Sequence, residues 1–343
     1  MKKKILFVTD WPKEKGNGKA LQALLDESYS EKYEWTVWSC MHNGSIKFFN
    51  RWKSYVYGAI YILKNKNKYH TIFIWQQMIG FIMFQITKII PIKIQNVIIY
   101  SYFNYHLSAT KKRVVKNTLK KSKALILPSV LMVNDMKNDF PKFKNKIFFS
   151  LNPLMDVLNE DVSVHEELDN PFFRNGVYDA GSSQRDHDVV IRAFRNTNIP
   201  VTIVCRDDYI FKEKEISDNI RILRFSKVNA QQYYALARQA FCILNSVTNE
   251  KSPCGQLLVA FAMNNSIPVI STDSYGVKDY LTNNVNGLLF KVGHSEEIKT
   301  AYKKLKSDKQ FKTRLIVNAK EKIKEMSPEF FIEKIIEIIE ETI

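Results

Sequence analysis

Two short stretches hold residue types suited to gripping a phosphate. The first, Gly181-Ser182-Ser183-Gln184-Arg185-Asp186-His187-Asp188, follows a run of strand character and leads into the apolar series Val189, Val190, Ile191, Ala193 and Phe194. Glycine and serine permit a tight strand-to-helix turn, and an arginine there can offer two parallel N–H donors to phosphate oxygens. The second, Glu250-Lys251-Ser252-Pro253-Cys254-Gly255-Gln256-Leu257, also opens a helix. The free amides of Gly255, Gln256 and Leu257 would form a helix N-terminus, whose partial positive charge suits a diphosphate. Glu250, on the approach, can accept bonds from sugar hydroxyls. Ser252-Pro253 also reads as the cap and first turn of that helix.

Elements able to position these turns recur along the chain. Short β-branched and apolar runs alternate with helix-length amphipathic segments, the pattern of parallel sheets with crossover helices. Six such runs lie in the first half, from Ile5–Thr9 to Ile147–Leu151, and six in the second, from Gly176–Ala180 to Gly287–Lys291. The reading is α/β, with two Rossmann-like doubly wound domains. The pattern lapses into acidic and polar residues over 156–173, which sets a first domain at 1–165 and a second at 166–326. A terminal helix over 327–343, with Ser327 as cap and isoleucines at 332, 335, 336, 338 and 339, is apolar enough to need a surface and is expected to pack back across the junction.

Composition narrows the classes. A chain of 343 residues with 45% hydrophobic content supports two packed cores and excludes global disorder. Cys40, Cys205, Cys242 and Cys254 form no CxxC pair and have no histidine at ligand spacing, so they read as reduced thiols of a cytosolic protein, without structural zinc. The run Ile5–Thr9 after three lysines reads as a first strand rather than a leader, and Met78–Ile92 is too short and interrupted to span a bilayer.

Charge is divided unevenly. Residues 1–150 hold 26 Lys or Arg against 8 Asp or Glu, whereas the remainder holds 25 against 27. A field of one sign on one domain predicts an anionic partner for it. Within that half, Lys47-Phe48-Phe49-Asn50-Arg51-Trp52-Lys53-Ser54-Tyr55 interleaves cations with aromatics, and Lys112, Lys116 and Lys120 are spaced to share one helix face. Such segments suit the headgroup region of an anionic membrane; taken singly, each also reads as a solvated lysine-rich face over a core aromatic stripe. A nucleic-acid partner fits the charge too, but no helix-turn-helix, RRM-like motif or zinc finger is visible, so none is expected. Lys15-Gly16-Asn17-Gly18-Lys19-Ala20 fails as a dinucleotide fingerprint, with Leu21 at the third glycine position, and as a P-loop, with Lys13 and Ala20 in place of its glycine and Ser/Thr.

The second half resembles the retaining glycosyltransferases of family 4, bacterial surface-polysaccharide type, which have the GT-B fold of two Rossmann-like domains facing across a cleft. The resemblance rests on Gly181 to Asp186, Cys254-Gly255-Gln256-Leu257, Ala262-Met263, Pro268-Val269-Ile270, Asp279-Tyr280 and Asn286-Gly287-Leu288-Leu289. In the first half the likeness is one of layout. It implies a donor site for a UDP- or GDP-sugar built from Gly181, Ser183, Arg185, Asp186, Arg206, Glu250, Ser252, Cys254, Gly255, Gln256 and Leu257. Arg185 and Glu250 would act at the reacting centre, joined by His106, which stands several residues after the family's histidine position. Gly16, Asn17 and Gly18 would border the cleft. The family's second glutamate, which holds the nucleotide ribose, is here Phe261.

The resemblance therefore implies a metal-independent retaining transferase with no prosthetic group, moving a sugar from a nucleotide diphosphate to a lipid-linked or oligosaccharide acceptor. In capsule or exopolysaccharide synthesis it would work as a peripheral protein on the inner face of the cell membrane. Two readings from other classes stand beside it: a non-catalytic glycosyltransferase-like subunit, with Phe261 marking lost donor chemistry, and a basic nucleic-acid-binding protein.

Overall fold

Short runs rich in Ile, Leu, Val and Phe become strands, the inner ones buried on both faces, as a parallel sheet covered by crossover helices requires. In the computed structural model, residues 2–10, 17–40, 48–102, 107–154 and 170–343 are described. The chain divides into two units, Met1–Val157 with Pro328–Ile343, and Leu158–Ser327. Most of the boundary read from the sequence, 156–173, lies outside the described residues.

The first unit contains β1 (Lys3–Thr9), β2 (Tyr33–Ser39), β3 (Thr71–Ile74), β4 (Val97–Tyr100), β5 (Ala124–Leu127) and β6 (Ile147–Phe149). They form one parallel sheet in the order β2-β1-β3-β4-β5-β6. Its helices are α1 (Asn17–Ser28), α2 (Phe48–Asn65), α3 (Gln77–Ile89), α4 (Ala109–Lys121) and α5 (Val130–Asp139). The apolar stretch at 78–92 is thus a helix of the sheet's covering layer, with Ile79, Met83 and Phe84 buried. Among the described residues no helix is long and apolar enough to cross a membrane.

The second unit contains β7 (Val177–Ala180), β8 (Val201–Cys205), β9 (Ile220–Arg224), β10 (Cys242–Asn245), β11 (Val269–Thr272) and β12 (Leu288–Phe290). The parallel order is β12-β11-β10-β7-β8-β9. Around it lie α6 (His187–Phe194), α7 (Ala230–Arg238), α8 (Gln256–Asn264), α9 (Ser295–Ser307) and α10 (Lys309–Ile323). Each unit is a doubly wound Rossmann-like domain, and the pair is the GT-B fold.

The last helix, α11 (Pro328–Thr342), returns to the first unit. Its Phe331, Ile332, Ile335, Ile338 and Ile339 join Ile5, Phe7, Phe73, Ile98 and Tyr100 in one core. The Phe331 ring meets Trp75 and Tyr100 edge-on at 5.4 and 5.6 Å, while those two rings stack at 4.7 Å. The isoleucine repeat is therefore a core face.

Candidate functional site

Open α/β sheets bind ligands beyond the carboxyl ends of their strands, where the strand order reverses. In the second unit that point lies between β7 and β10, the strands whose following turns hold Arg185 and Gly255. Topology thus brings together two turns about 70 residues apart in sequence, as parallel crossover connections allow.

Both turns are built around glycines in conformations that L side chains rarely adopt, Gly181 at φ +148° and Gly255 at φ +108°. A Cβ on Gly181 would collide with the Arg185 guanidinium, and one on Gly255 would lie 2.5 Å from both terminal atoms of the Asn245 amide. Arg185 is 8% exposed and its Nη1 donates to Asn245 Oδ1. Arg185, backed by Gly181, and Gly255 therefore converge on Asn245, the last residue of β10. The sequence did not single out Asn245, whose partners lie 26 and 60 residues away in the chain.

Gly255 caps α8 with no side-chain bond, and Val259 N donates to Gly255 O at 3.1 Å. The helix begins at Gln256, so Ser252-Pro253 is neither its cap nor its first turn. Ser252 is buried, its Oγ accepts from Cys254 N at 3.3 Å, and its carbonyl accepts from Gly276 N at 2.8 Å. It folds the approach loop against the turn after β11. Cys254 is half-buried and Leu257 exposed. Glu250 is exposed, and its carbonyl accepts from Tyr275 N at 2.7 Å.

Beneath the Arg185 turn lies a fully enclosed polar network. His187 Nδ1 and Asp179 Oδ2 are 2.6 Å apart, and Ser246 Oγ donates to both Asp179 oxygens at 3.1 and 3.2 Å. Asp186 Oδ1 accepts from Val189 N and caps α6, and burial raises its carboxyl above the usual carboxylate range. Asp188 accepts from Lys212 N and Glu213 N at 2.8 and 2.9 Å and from the Tyr209 hydroxyl at 2.9 Å. These bonds fix the segment after β8.

Between that segment and the Arg185 turn is a pocket of about 630 Å³, lined among others by Ser182, Arg185, Arg206, Tyr209 and Thr248. Arg206 is exposed and paired with Asp208, its Nε donating at 2.7 Å. Ser183 is exposed on the turn. Arg185 Nε, His187 Nε2, Gln256 Nε2 and Ser274 Oγ are buried without a hydrogen-bond partner. Buried polar atoms without partners occur elsewhere among the described residues too, but these four follow β7, β10 and β11, at the sheet edge where the strand order places a ligand.

Phe261 is buried in the second unit. It is fully enclosed on α8, its ring 4.6 Å from Tyr234 and beneath the Arg238 guanidinium at 5.6 Å, as a core residue.

The first unit's reversal, between β1 and β3, holds another polar set that the sequence reading missed. Asp10, directly after β1, receives Gln76 Nε2 at 3.0 Å, the Tyr55 hydroxyl at 3.5 Å and Arg51 Nη2 at 3.8 Å, all on Oδ2. Gln77 Oε1 accepts from Tyr102 N at 2.8 Å and from the Ser101 hydroxyl. Burial and the nearby Asp10 charge push both the Cys40 thiol and the Tyr55 phenol up to about 12. Of the predicted residues here, Asn17 and Gly18 open α1, while Gly16 and His106 lie outside the described residues. Among the described residues no group of three or more His, Cys, Asp or Glu could hold a metal ion.

Residues 180–322 match the family described as Glycosyl transferases group 1. No curated protein sequence matches the chain. Among solved structures, Anabaena Alr3699/HepE in complex with UDP-glucose superposes with a TM-score of 0.70 at 16% identity, over 98% of this chain and 99% of that one. Sucrose-phosphate synthase from Thermosynechococcus elongatus gives 0.69 at 12%, covering 99% of each chain. The lipopolysaccharide outer core galactosyltransferase WaaB gives 0.63 at 13%, over 99% of this chain and 100% of that one. Identities this low speak for the fold, while the sequence match spans the turns of Arg185 and Gly255. Together they make this chain a glycosyltransferase of the GT-B fold, with a glycosyltransferase group 1 domain over residues 180–322.

Proposed function

We propose that the chain transfers a sugar, with retention, from a nucleotide diphosphate-sugar to a lipid-linked glycan in bacterial surface-polysaccharide synthesis. The observation that carries this reading is the convergence of Arg185 and the α8 helix start across the β7/β10 reversal, amid buried polar atoms that lack partners. A diphosphate would meet the Arg185 cation on one side and the Gly255, Gln256 and Leu257 amides on the other. Both favour the charge that grows on the leaving group as the sugar departs. UDP-glucose in the Anabaena neighbour supports a nucleotide-sugar of this class. Arg206 also lines the pocket and would reach the nucleoside end, and Glu250 would swing to the sugar. Domain 1–165 would serve the acceptor, whose hydroxyls suit the carboxylate and amides gathered at Asp10, together with His106 and the Gly16–Gly18 loop. No metal takes part in this scheme.

The enzyme would work at the inner face of the cell membrane, held through its basic first unit. Support comes from α2, where Trp52, Val56, Tyr57 and Ile60 are 38–50% exposed beside Arg51 and Lys53, and from the exposed Lys112, Lys116 and Lys120 of α4. Each cation near an anionic surface contributes about 1 kcal/mol. Sedimentation with phosphatidylglycerol vesicles should carry the protein down at low salt and release it at high salt; equal retention on phosphatidylcholine would sink the membrane part.

Titration calorimetry with UDP, GDP and their sugar conjugates tests the donor site. Binding of one nucleotide by the wild type, unchanged by EDTA and weakened about a hundred-fold by Arg185→Ala, is the expected outcome. The reading fails if neither nucleotide binds, or if Arg185→Ala binds as tightly as wild type.

A further inference from the structure

The Arg185 guanidinium is almost wholly buried, yet no carboxylate pairs with it among the described residues. A buried cation costs free energy unless something satisfies it, and a carboxylate is the usual remedy. Here the anchor is neutral: Asn245, at 0% exposure, takes Arg185 Nη1 on its Oδ1 and donates from Nδ2 to Ser271 Oγ on β11 at 2.8 Å. The Ser271 hydroxyl lies in turn 3.1 Å from the Thr272 carbonyl. The same amide is packed against the α carbon of Gly255, the residue that starts α8.

One carboxamide thus touches three strands' worth of site: the turn after β7, the end of β10 and the end of β11. An aliphatic side chain would satisfy neither neighbour. A carboxylate would hold the guanidinium harder, but would cancel the charge that an anion needs to find.

Resting on the donor-site reading above, we propose that Asn245 is a positioning residue of that site. It aims Arg185 at the α8 helix start through a neutral bond, so that the full guanidinium charge remains for a nucleotide diphosphate. Asn245 need not touch the ligand itself. Its contribution is the placement of a cation that would otherwise sample many rotamers or retreat to solvent.

The test is calorimetry with UDP and with uridine on wild type, Asn245→Ala, Asn245→Asp and Ser271→Ala, with thermal melts recorded for each. Loss of the anchoring bond should weaken UDP by about ten-fold in Asn245→Ala, the scale of one hydrogen bond. Asn245→Asp should be weaker still, by about a hundred-fold, because the new carboxylate both pairs with Arg185 and repels the diphosphate. Uridine, which has no phosphate, should bind all four proteins alike. That order separates positioning from packing: aspartate matches asparagine in shape, so a purely structural role would leave Asn245→Asp closer to wild type than Asn245→Ala.

The proposal is overturned if Asn245→Ala binds UDP like wild type, or if Asn245→Asp binds at least as tightly as Asn245→Ala. Should either Asn245 variant fail to fold, Ser271→Ala decides: about three-fold weaker UDP binding supports the proposal, and unchanged binding overturns it. Wild-type protein that binds neither UDP nor GDP removes the donor reading itself, and this inference with it.

Discussion

The carboxyl edges of the two sheets obey one topological rule and hold opposite chemistry. At the β7/β10 reversal sit a buried guanidinium, a helix start and four polar atoms without partners. At the β1/β3 reversal sit a carboxylate and two glutamine amides bonded to their neighbours, Asp10 drawing three groups onto one oxygen and Gln77 two onto another. The first edge holds a buried cation on a neutral amide, whereas the polar groups of the second bond to one another. A doubly wound fold fixes where a ligand goes, and the residues on the strand ends fix what it is.

That contrast can be broken at several points. The largest effect belongs to the sheet beneath Asp10: Ile335→Ala in α11 should lower the stability of the first unit by about 2–5 kcal/mol, read as an earlier melting transition, because Ile335 is fully buried in that core. A melt unchanged by the substitution would mean that α11 does not complete the first unit. Next, Arg185→Ala should cost about a hundred-fold in UDP affinity, or about 2.7 kcal/mol.

Gly255→Ala should cost about 1–3 kcal/mol of stability, since alanine at φ +108° is strained and its methyl would strike Asn245. Its UDP affinity should fall along with its melting temperature. Smaller still, Asp10→Asn should leave UDP affinity within about two-fold of wild type, the scale of a distant and independent site. An equal loss from Asp10→Asn and Arg185→Ala would erase the distinction between the two edges.

Thiol chemistry gives the mildest probe. Burial holds both Cys40, beside Asp10, and Cys242 at about 12, so neither is a thiolate at neutral pH. The half-buried Cys254, on the loop that leads to α8, should react first with a maleimide, and nucleotide should slow it. Mass spectrometry that finds Cys40 labelled as fast as Cys254 would contradict this burial.

Much of this was legible in the chain. The twelve apolar runs all become strands among the described residues: a parallel sheet covered on both faces demands hydrophobic inner strands, while the edge strands β2 and β9 interleave polar residues, and both patterns are local signals. Arg185 and Gly255 were visible for the same reason, each being a turn between a strand and a helix. Ser252-Pro253 was misread as a helix start, because a serine before proline imitates a cap wherever the backbone is free to turn. Here a left-handed glycine three residues on begins the helix instead. Asn245 and Asp10 went unrecognised because nothing in their immediate neighbours marks them; their partners are 26 to 66 residues away.

The sequence by itself determined the fold class, the two repeating halves, the basic excess of the first and the two turns able to hold an anion. These follow from periodicity, composition and local backbone preference, which need no knowledge of contacts. Only the tertiary structure decided that the two turns meet at one carboxamide, that Phe261 belongs to the core and that Asp10 anchors a second polar edge. Each of these is a pairing across a crossover connection, set by strand order, and strand order is a property of the whole sheet rather than of any segment in it.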